Sequence, residues 1–373
     1  MFTDLRCPAC GNTYPDRWRC ACGHPLEFAD RPLPDGPPPE VPDARDGLWT
    51  FEAFLPVERR VSLDEGWTPL VEAPGWDCSF KLDYTFPTGS FKDRGAATTL
   101  SRAAELDVDR VVEDSSGNAG AAIATYAARA GIDARIYVPA SVKASKLRAI
   151  ERAGAEVERV EGSREAVTEA CVSAVERAAR RAAERTSGDE PRVARESWYA
   201  SHAWNPAFFA GTATMAYEIA AQRDWSVPDA VVLPLGHGTM FLGAYRGFTA
   251  LQEAGWTDGV PRLLGAQAAG YAPVADGFHG PSEERNDLAD GIQIREPVRV
   301  DEIREAVEAT GGDATAIGPE ATERELDRLH AAGFYTEPTC AVAPAALREY
   351  RDRGVLEPDA DVVVALSGSG LKT

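Results

Sequence analysis

Short apolar runs alternate with longer alanine-rich stretches through most of the chain. RVVEDSS precedes AGAAIATYAARAG, ARIYVPA precedes KASKLRAIERAG, AEVERVEG precedes REAVTEACVSAVERAARRAAER, and AVVLPLG precedes TMFLGAYRGFTALQEAG. Apolar runs of this length read as buried strands and the alanine-rich stretches as helices. Their alternation predicts parallel strands joined by right-handed helical crossovers, an α/β fold with parallel-rich sheets. No internal repeat of solenoid period is present.

In sheets of this kind ligands gather where strands end and helices begin. Three glycine-containing turns stand at such places: SFKDRG at 90–95, SSGNAG at 115–120 and PLGHGT at 234–239. A fourth, SGSG at 367–370, follows the apolar strand DVVVAL.

The segment before the alternation has a different texture. CPACGNTYPDRWRCACGHPLEF holds two cysteine pairs, C-x-x-C and C-x-C, each followed by glycine. Such turns aim two thiolates at one point, so Cys7, Cys10, Cys20 and Cys22 predict a small zinc-ribbon-like segment over residues 1–30. It is too short to bury a core, and a structural zinc ion would supply its folding energy. DRPLPDGPPPEVPDARD, residues 30–46, reads as a proline-rich linker, placed at 31–46. The remainder is expected to form a larger domain from 47–89 and 205–373, with a smaller mobile domain at 90–204.

Composition narrows the partners. With 373 residues the chain has room for two domains, and a formal charge of -20 repels nucleic acid and anionic membrane at long range. No apolar run reaches the roughly 20 residues of a membrane span, and MFTDLRCPAC lacks the apolar region of a signal peptide, so a cytoplasmic protein is expected. Abundant carboxylates and only five lysines (Lys81, Lys92, Lys143, Lys146 and Lys372) suggest adaptation to a high-salt cytoplasm, with loss of folded structure expected at low salt.

One of those five lysines, Lys92, sits in a small-residue turn that opens a helix. A positive helix end and partial burial lower a lysine's pKa, and a nucleophilic lysine then usually forms a Schiff base. In PLGHGT, the amides of Gly236, His237, Gly238 and Thr239 can converge on an anion, although the turn is not a Walker loop. SSGNAG can hold a carboxylate through backbone amides, with the Asn118 side chain bonding an oxygen nearby. Taken singly these turns are also compatible with ordinary helix capping. Together, a Schiff-base lysine, a phosphate cradle and a carboxylate-binding turn are what pyridoxal phosphate requires for amino-acid chemistry.

The ordered motifs resemble the fold-type II pyridoxal-phosphate enzymes, and among them the threonine synthase family. The resemblance runs through the cysteine segment, EGWTPL, FKLDYTFPTGSFKDRG, SSGNAGAAIATYAARAGI, NPAFFAGTATMAYEIA, PLGHGT, EPTCAVAPAAL and LSGSGLK. It implies that Lys92 carries the cofactor and moves protons, that Asn118 bonds its phenolic oxygen, and that Gly236 to Thr239 cradle its phosphate. It further implies that Ser367 meets the pyridine nitrogen, and that Ser115, Ser116, Gly117 and Ala119 hold the substrate carboxylate. The implied reaction is O-phosphohomoserine and water to threonine and phosphate, on a small amino-acid substrate, by a homodimer. Three residues depart from the family's pattern. Ala119 stands where threonine is common, Glu169 where an arginine grips substrate phosphate (Arg164 is nearby), and His237 where asparagine or glycine is usual. The alternatives are a serine or threonine ammonia-lyase or another β-replacing enzyme, and a catalytically silent zinc-ribbon interaction protein. Trp198, Tyr199, His202 and Trp204 are expected to line a cleft between domains, and Cys340 to be a buried thiol near the pyridine side.

Overall fold

The computed structural model describes residues 3–40, 42–142, 144–184 and 196–372. Lys143 and the side chain of Lys146 lie outside the described residues. In chain order, three two-residue strands come first, β1 (Leu5–Arg6), β2 (Thr13–Tyr14) and β3 (Glu27–Phe28), followed by β4 (Leu70–Ala73) and β5 (Cys78–Lys81). Then come α1 (Lys92–Glu105), β6 (Arg110–Glu113), α2 (Asn118–Ala130), β7 (Asp133–Pro139), α3 (Ala144–Arg152), β8 (Glu156–Val160), α4 (Arg164–Glu184) and β9 (Trp198–Tyr199). The last part runs α5 (Pro206–Ala221), β10 (Ala230–Pro234), α6 (Thr239–Glu253), β11 (Arg262–Ala268), α7 (Pro273–His279), α8 (Val300–Ala309), β12 (Asp313–Ile317), α9 (Pro319–Ala331), α10 (Pro338–Asp352) and β13 (Val362–Ala365). None of the described helices is long and apolar enough to cross a membrane.

The chain forms two units. The first contains Met1–Pro32, Glu52–Glu65 and Lys92–Gly211; the second contains Leu33–Phe51, Gly66–Phe91 and Thr212–Thr373.

In the first unit β1 pairs antiparallel with β2 and β3, and a separate four-stranded parallel sheet has the order β8-β7-β6-β9. The strands that follow β6 lie first on one of its sides and finally, with β9, on the other. The end of β6 is therefore the switch point of this sheet, where a ligand crevice is expected. α2 forms because AGAAIATYAARA is rich in strong helix formers, and it stops at Gly131, whose left-handed conformation (φ 68°) lets its N–H reach back to the last turn. Two glycines let α1 and α5 meet closely. A Cβ on Gly95 would lie 2.1 Å from the Phe208 ring, and one on Gly211 would lie 2.1 Å from the Arg94 carbonyl oxygen.

The second unit is built on a six-stranded sheet of order β12-β11-β10-β13-β5-β4, parallel except for the antiparallel β4 edge. Its switch point lies between β10 and β13. Val231, Val232, Leu233, Leu264, Val363 and Val364 have no exposed surface, as strands covered on both faces require. The proline-rich stretch belongs to this unit: the indole N–H of Trp225 donates to the Pro39 carbonyl (3.2 Å) and that of Trp256 to the Gly36 carbonyl (2.8 Å). Lys81, at the end of β5, is wholly buried, and its ammonium donates to Glu218 (2.7 Å), Gln222 (2.8 Å) and the Thr68 carbonyl (2.8 Å).

Candidate active site

Both switch points carry the turns singled out by sequence. In the first unit β6 ends at Glu113, and the chain passes through Asp114, Ser115, Ser116 and Gly117 into Asn118, the first residue of α2. The Ser115 hydroxyl accepts the Gly117 N–H (3.3 Å), and no side chain caps the start of α2. A Cβ on Gly120 would lie 1.8 Å from the Ser115 carbonyl oxygen, so only glycine lets the turn fold back on its helix. Ala119 is buried and Asn118 half-buried. Lys92, the first residue of α1, lies in the same unit, and its charge is felt at Glu113.

Glu113 itself was not flagged by sequence. It is wholly buried; its Oε1 lies 2.7 Å from His202 Nδ1 and its Oε2 accepts the His202 N–H (3.3 Å). Burial, reinforced by Asp114, holds its pKa well above the usual carboxylate range, against the opposing pull of the His202 N–H, Lys92 and Arg164. Arg164 opens α4, and both it and Glu169, five residues later, are exposed. Trp198, Tyr199, His202 and Trp204, expected along a cleft, have partners within the first unit. Trp198 donates to Asp16, Tyr199 to Asp114, His202 meets Glu113, and Trp204 packs on Trp18.

In the second unit the β10–α6 turn carries Gly236, His237, Gly238 and Thr239. Gly238 has φ 82°, and a Cβ there would meet Ile303 at 2.4 Å; at Gly236 it would meet Ile292 at 3.1 Å. No side chain caps α6, and Thr239 is buried at its first position. β13 is the parallel neighbour of β10, in register Val232 to Val364, so Ser367 emerges at the same edge of the sheet as the glycine turn. Cys340 fixes Ser367: its sulfur accepts the N–H groups of Ser367 (3.1 Å) and Gly368 (3.0 Å) and lies 3.5 Å from the Ser367 hydroxyl. Burial and Glu337 push this thiol up to about 12, against the hydrogen bonds from Ser367 and Gly368, so it stays protonated. The segment leading to Lys92 is anchored on the same turn, since Phe91 donates its N–H to the Ser367 carbonyl (3.0 Å) and Ser369 donates to that of Gly89 (2.9 Å).

Taken unit by unit, these donors are of the kinds that pyridoxal phosphate uses. Amides at a helix start suit its phosphate, a neutral serine suits its pyridine nitrogen, and a lysine at a helix start suits its aldehyde.

A profile of the family described as "Pyridoxal-phosphate dependent enzyme" matches residues 61–368. The chain belongs to that family. It is 32% identical over 343 residues to the threonine synthase of Methanosarcina acetivorans, covering 87% of this chain and 80% of that protein. It is 30% identical over an alignment of 392 positions to the threonine synthase of Methanocaldococcus jannaschii, covering 98% of this chain and 92% of that protein. Among solved structures, maize serine racemase superposes with TM-score 0.65 at 21% identity, covering 82% of this chain and 88% of that one, which shows a shared fold. The protein is thus a fold-type II pyridoxal-phosphate enzyme, a lyase of threonine synthase type. The reading as a silent interaction protein falls with this result.

The cysteine segment brings its four thiols together. The sulfur atoms of Cys7, Cys10, Cys20 and Cys22 all lie within 4.8 Å of one another, with separations of 3.6 Å (Cys7 to Cys22), 3.4 Å (Cys10 to Cys20) and 3.6 Å (Cys10 to Cys22). Four sulfurs at about 2.3 Å from a tetrahedral zinc stand about 3.8 Å apart, close to these edges. His24 is not part of the group.

Proposed function

We propose that the enzyme converts O-phosphohomoserine and water to threonine and phosphate. The observation that carries this reading is the near full-length similarity to a threonine synthase, 98% of this chain and 92% of that protein, which takes in the cysteine segment as well as the catalytic fold.

Pyridoxal phosphate, when bound, supplies an electron sink that acidifies the Cα and Cβ hydrogens of an attached amino acid. Gly236, His237, Gly238 and Thr239 would hold its phosphate, Ser367 its pyridine nitrogen and Asn118 its phenolic oxygen. The Ser115 to Ala119 backbone would bind the substrate carboxylate. Lys92 Nζ would hold the cofactor and then serve as the base. Lys92 would take the protons at Cα and Cβ before phosphate leaves Cγ, and would return protons at Cγ and Cα as the oxygen of water bonds to Cβ, the remaining proton of water going to the released phosphate. A neutral serine at the pyridine nitrogen stabilises a positive ring less than a carboxylate would, which suits elimination and replacement over racemisation. Arg164 is the candidate for the substrate phosphate, because it opens α4 and its charge is felt at Glu113, next to the carboxylate turn.

A second reading, deamination of serine or threonine, is favoured by Ala119 in the carboxylate turn and by the exposed Glu169. Phosphate and threonine released together from O-phosphohomoserine would support the first reading. A 2-oxo acid from serine or threonine, with no phosphate released, would replace it by the second.

Zinc held by Cys7, Cys10, Cys20 and Cys22 would fold the N-terminal segment. In metal-stripped protein the segment loses the ion that would fold it, so a thiol reagent near pH 8 is expected to modify these four cysteines rapidly, while Cys340, wholly buried in the second unit, stays slow. Equal labelling rates with and without chelator would contradict the metal.

A further inference from the structure

The cysteine segment does more than fold on itself: its contacts lead to the turn proposed to bind the substrate carboxylate. Trp18, two residues before Cys20, packs edge-on against Tyr199 (ring centroids 5.5 Å apart) and Trp204 (5.1 Å). Its ring also meets the Arg19 guanidinium at 4.3 Å, and Arg19 is paired with Glu176 of α4 at 2.7 Å. Two further ties fix the segment. Asp16 accepts the Trp198 indole N–H (2.8 Å), and Arg102 of α1 donates to the carbonyls of Thr3 (3.0 Å) and Pro15 (3.3 Å).

Tyr199 passes this restraint inward. It pairs with Val112 of β6, and its buried hydroxyl donates to Asp114 Oδ1 at 2.8 Å. Asp114 Oδ2 accepts the Thr168 hydroxyl at 2.6 Å, so both carboxylate oxygens are held. Asp114 is bonded directly to Ser115, the first residue of the turn.

We propose that Asp114, Tyr199 and Trp18 are positioning residues through which the cysteine segment holds the Ser115 to Asn118 turn in its substrate-binding shape. The inference rests on the assignment of that turn to the substrate carboxylate. Tyr199→Phe removes one oxygen and keeps the ring under Trp18; Trp18→Ala leaves the Tyr199 and Asp114 hydroxyl contact in place and removes the packing.

The test titrates L-threonine into the cofactor-loaded full chain and follows the visible absorption of the cofactor. In Tyr199→Phe the dissociation constant is expected to rise roughly tenfold, as loss of one hydrogen bond to a charged group implies, with cofactor content unchanged. Trp18→Ala is expected to raise it in the same direction, and Trp18→Phe to restore most of the affinity. A purely architectural role would lower the unfolding temperature of Tyr199→Phe without moving the dissociation constant, and that result overturns the proposal. A Trp18→Ala protein that is folded and binds with wild-type affinity also overturns it. If the wild type responds to L-serine and not to L-threonine, the threonine reading fails on its own, and the same comparison of variants, made with L-serine, decides the role of Asp114, Tyr199 and Trp18.

Discussion

Replacing Lys92 with alanine is expected to lower turnover by at least about 10³-fold and to abolish the visible absorption of a covalently held cofactor. Lys92 is the first residue of α1, where the helix dipole lowers the pKa of an amine and so favours the nucleophilic form. The other lysine near a strand end, Lys81, cannot substitute, because its ammonium is wholly buried and already bound to three acceptors. Retention of more than a few per cent of wild-type turnover in Lys92→Ala would remove Lys92 from its assigned role.

The second large effect concerns stability. Glu218→Ala is expected to cost about 3–5 kcal/mol, because it leaves the Lys81 ammonium buried with its charge partner gone. Glu218 is wholly buried, its Oε2 lies 2.7 Å from Lys81 Nζ, and its oxygens also accept the N–H groups of Trp67 (2.8 Å) and Thr68 (3.0 Å). One substitution therefore takes a carboxylate away from a buried ammonium and two amides at once. The free energy of urea unfolding, measured at matched salt, checks the magnitude. A loss under 1 kcal/mol would mean that water reaches Lys81 and the network is not dry. The pair Lys81→Met with Glu218→Leu, which removes both charges, is expected to recover part of the loss.

Much of this arrangement was legible in the sequence because it is local. Alternating apolar and alanine-rich stretches specify parallel strands and their crossovers, and glycines at strand ends mark the turns. Paired cysteines two and three positions apart predict four thiols converging, as the sulfur atoms do. What was not legible depends on residues distant in the chain. Glu113 meets His202 89 positions away, and Lys81 meets Glu218 137 positions away. Each left a faint trace, a charged residue at the end of a strand covered on both faces, where a buried partner is obligatory. Nothing in the sequence of residues 52–65 announced that they would join the first unit, since their short apolar and polar stretches show no helical or strand period. The contacts of Tyr199 with Asp114 and of Trp204 with Trp18 arise only once β9 is laid beside β6.

The most direct test of the site is to reduce the cofactor-loaded enzyme with borohydride, digest it and locate the pyridoxyl group by peptide mass spectrometry. The account predicts a single labelled lysine, Lys92, in the peptide that contains FPTGSF. Label on Lys81 or Lys372, or a protein that carries no pyridoxyl group after loading, would contradict it.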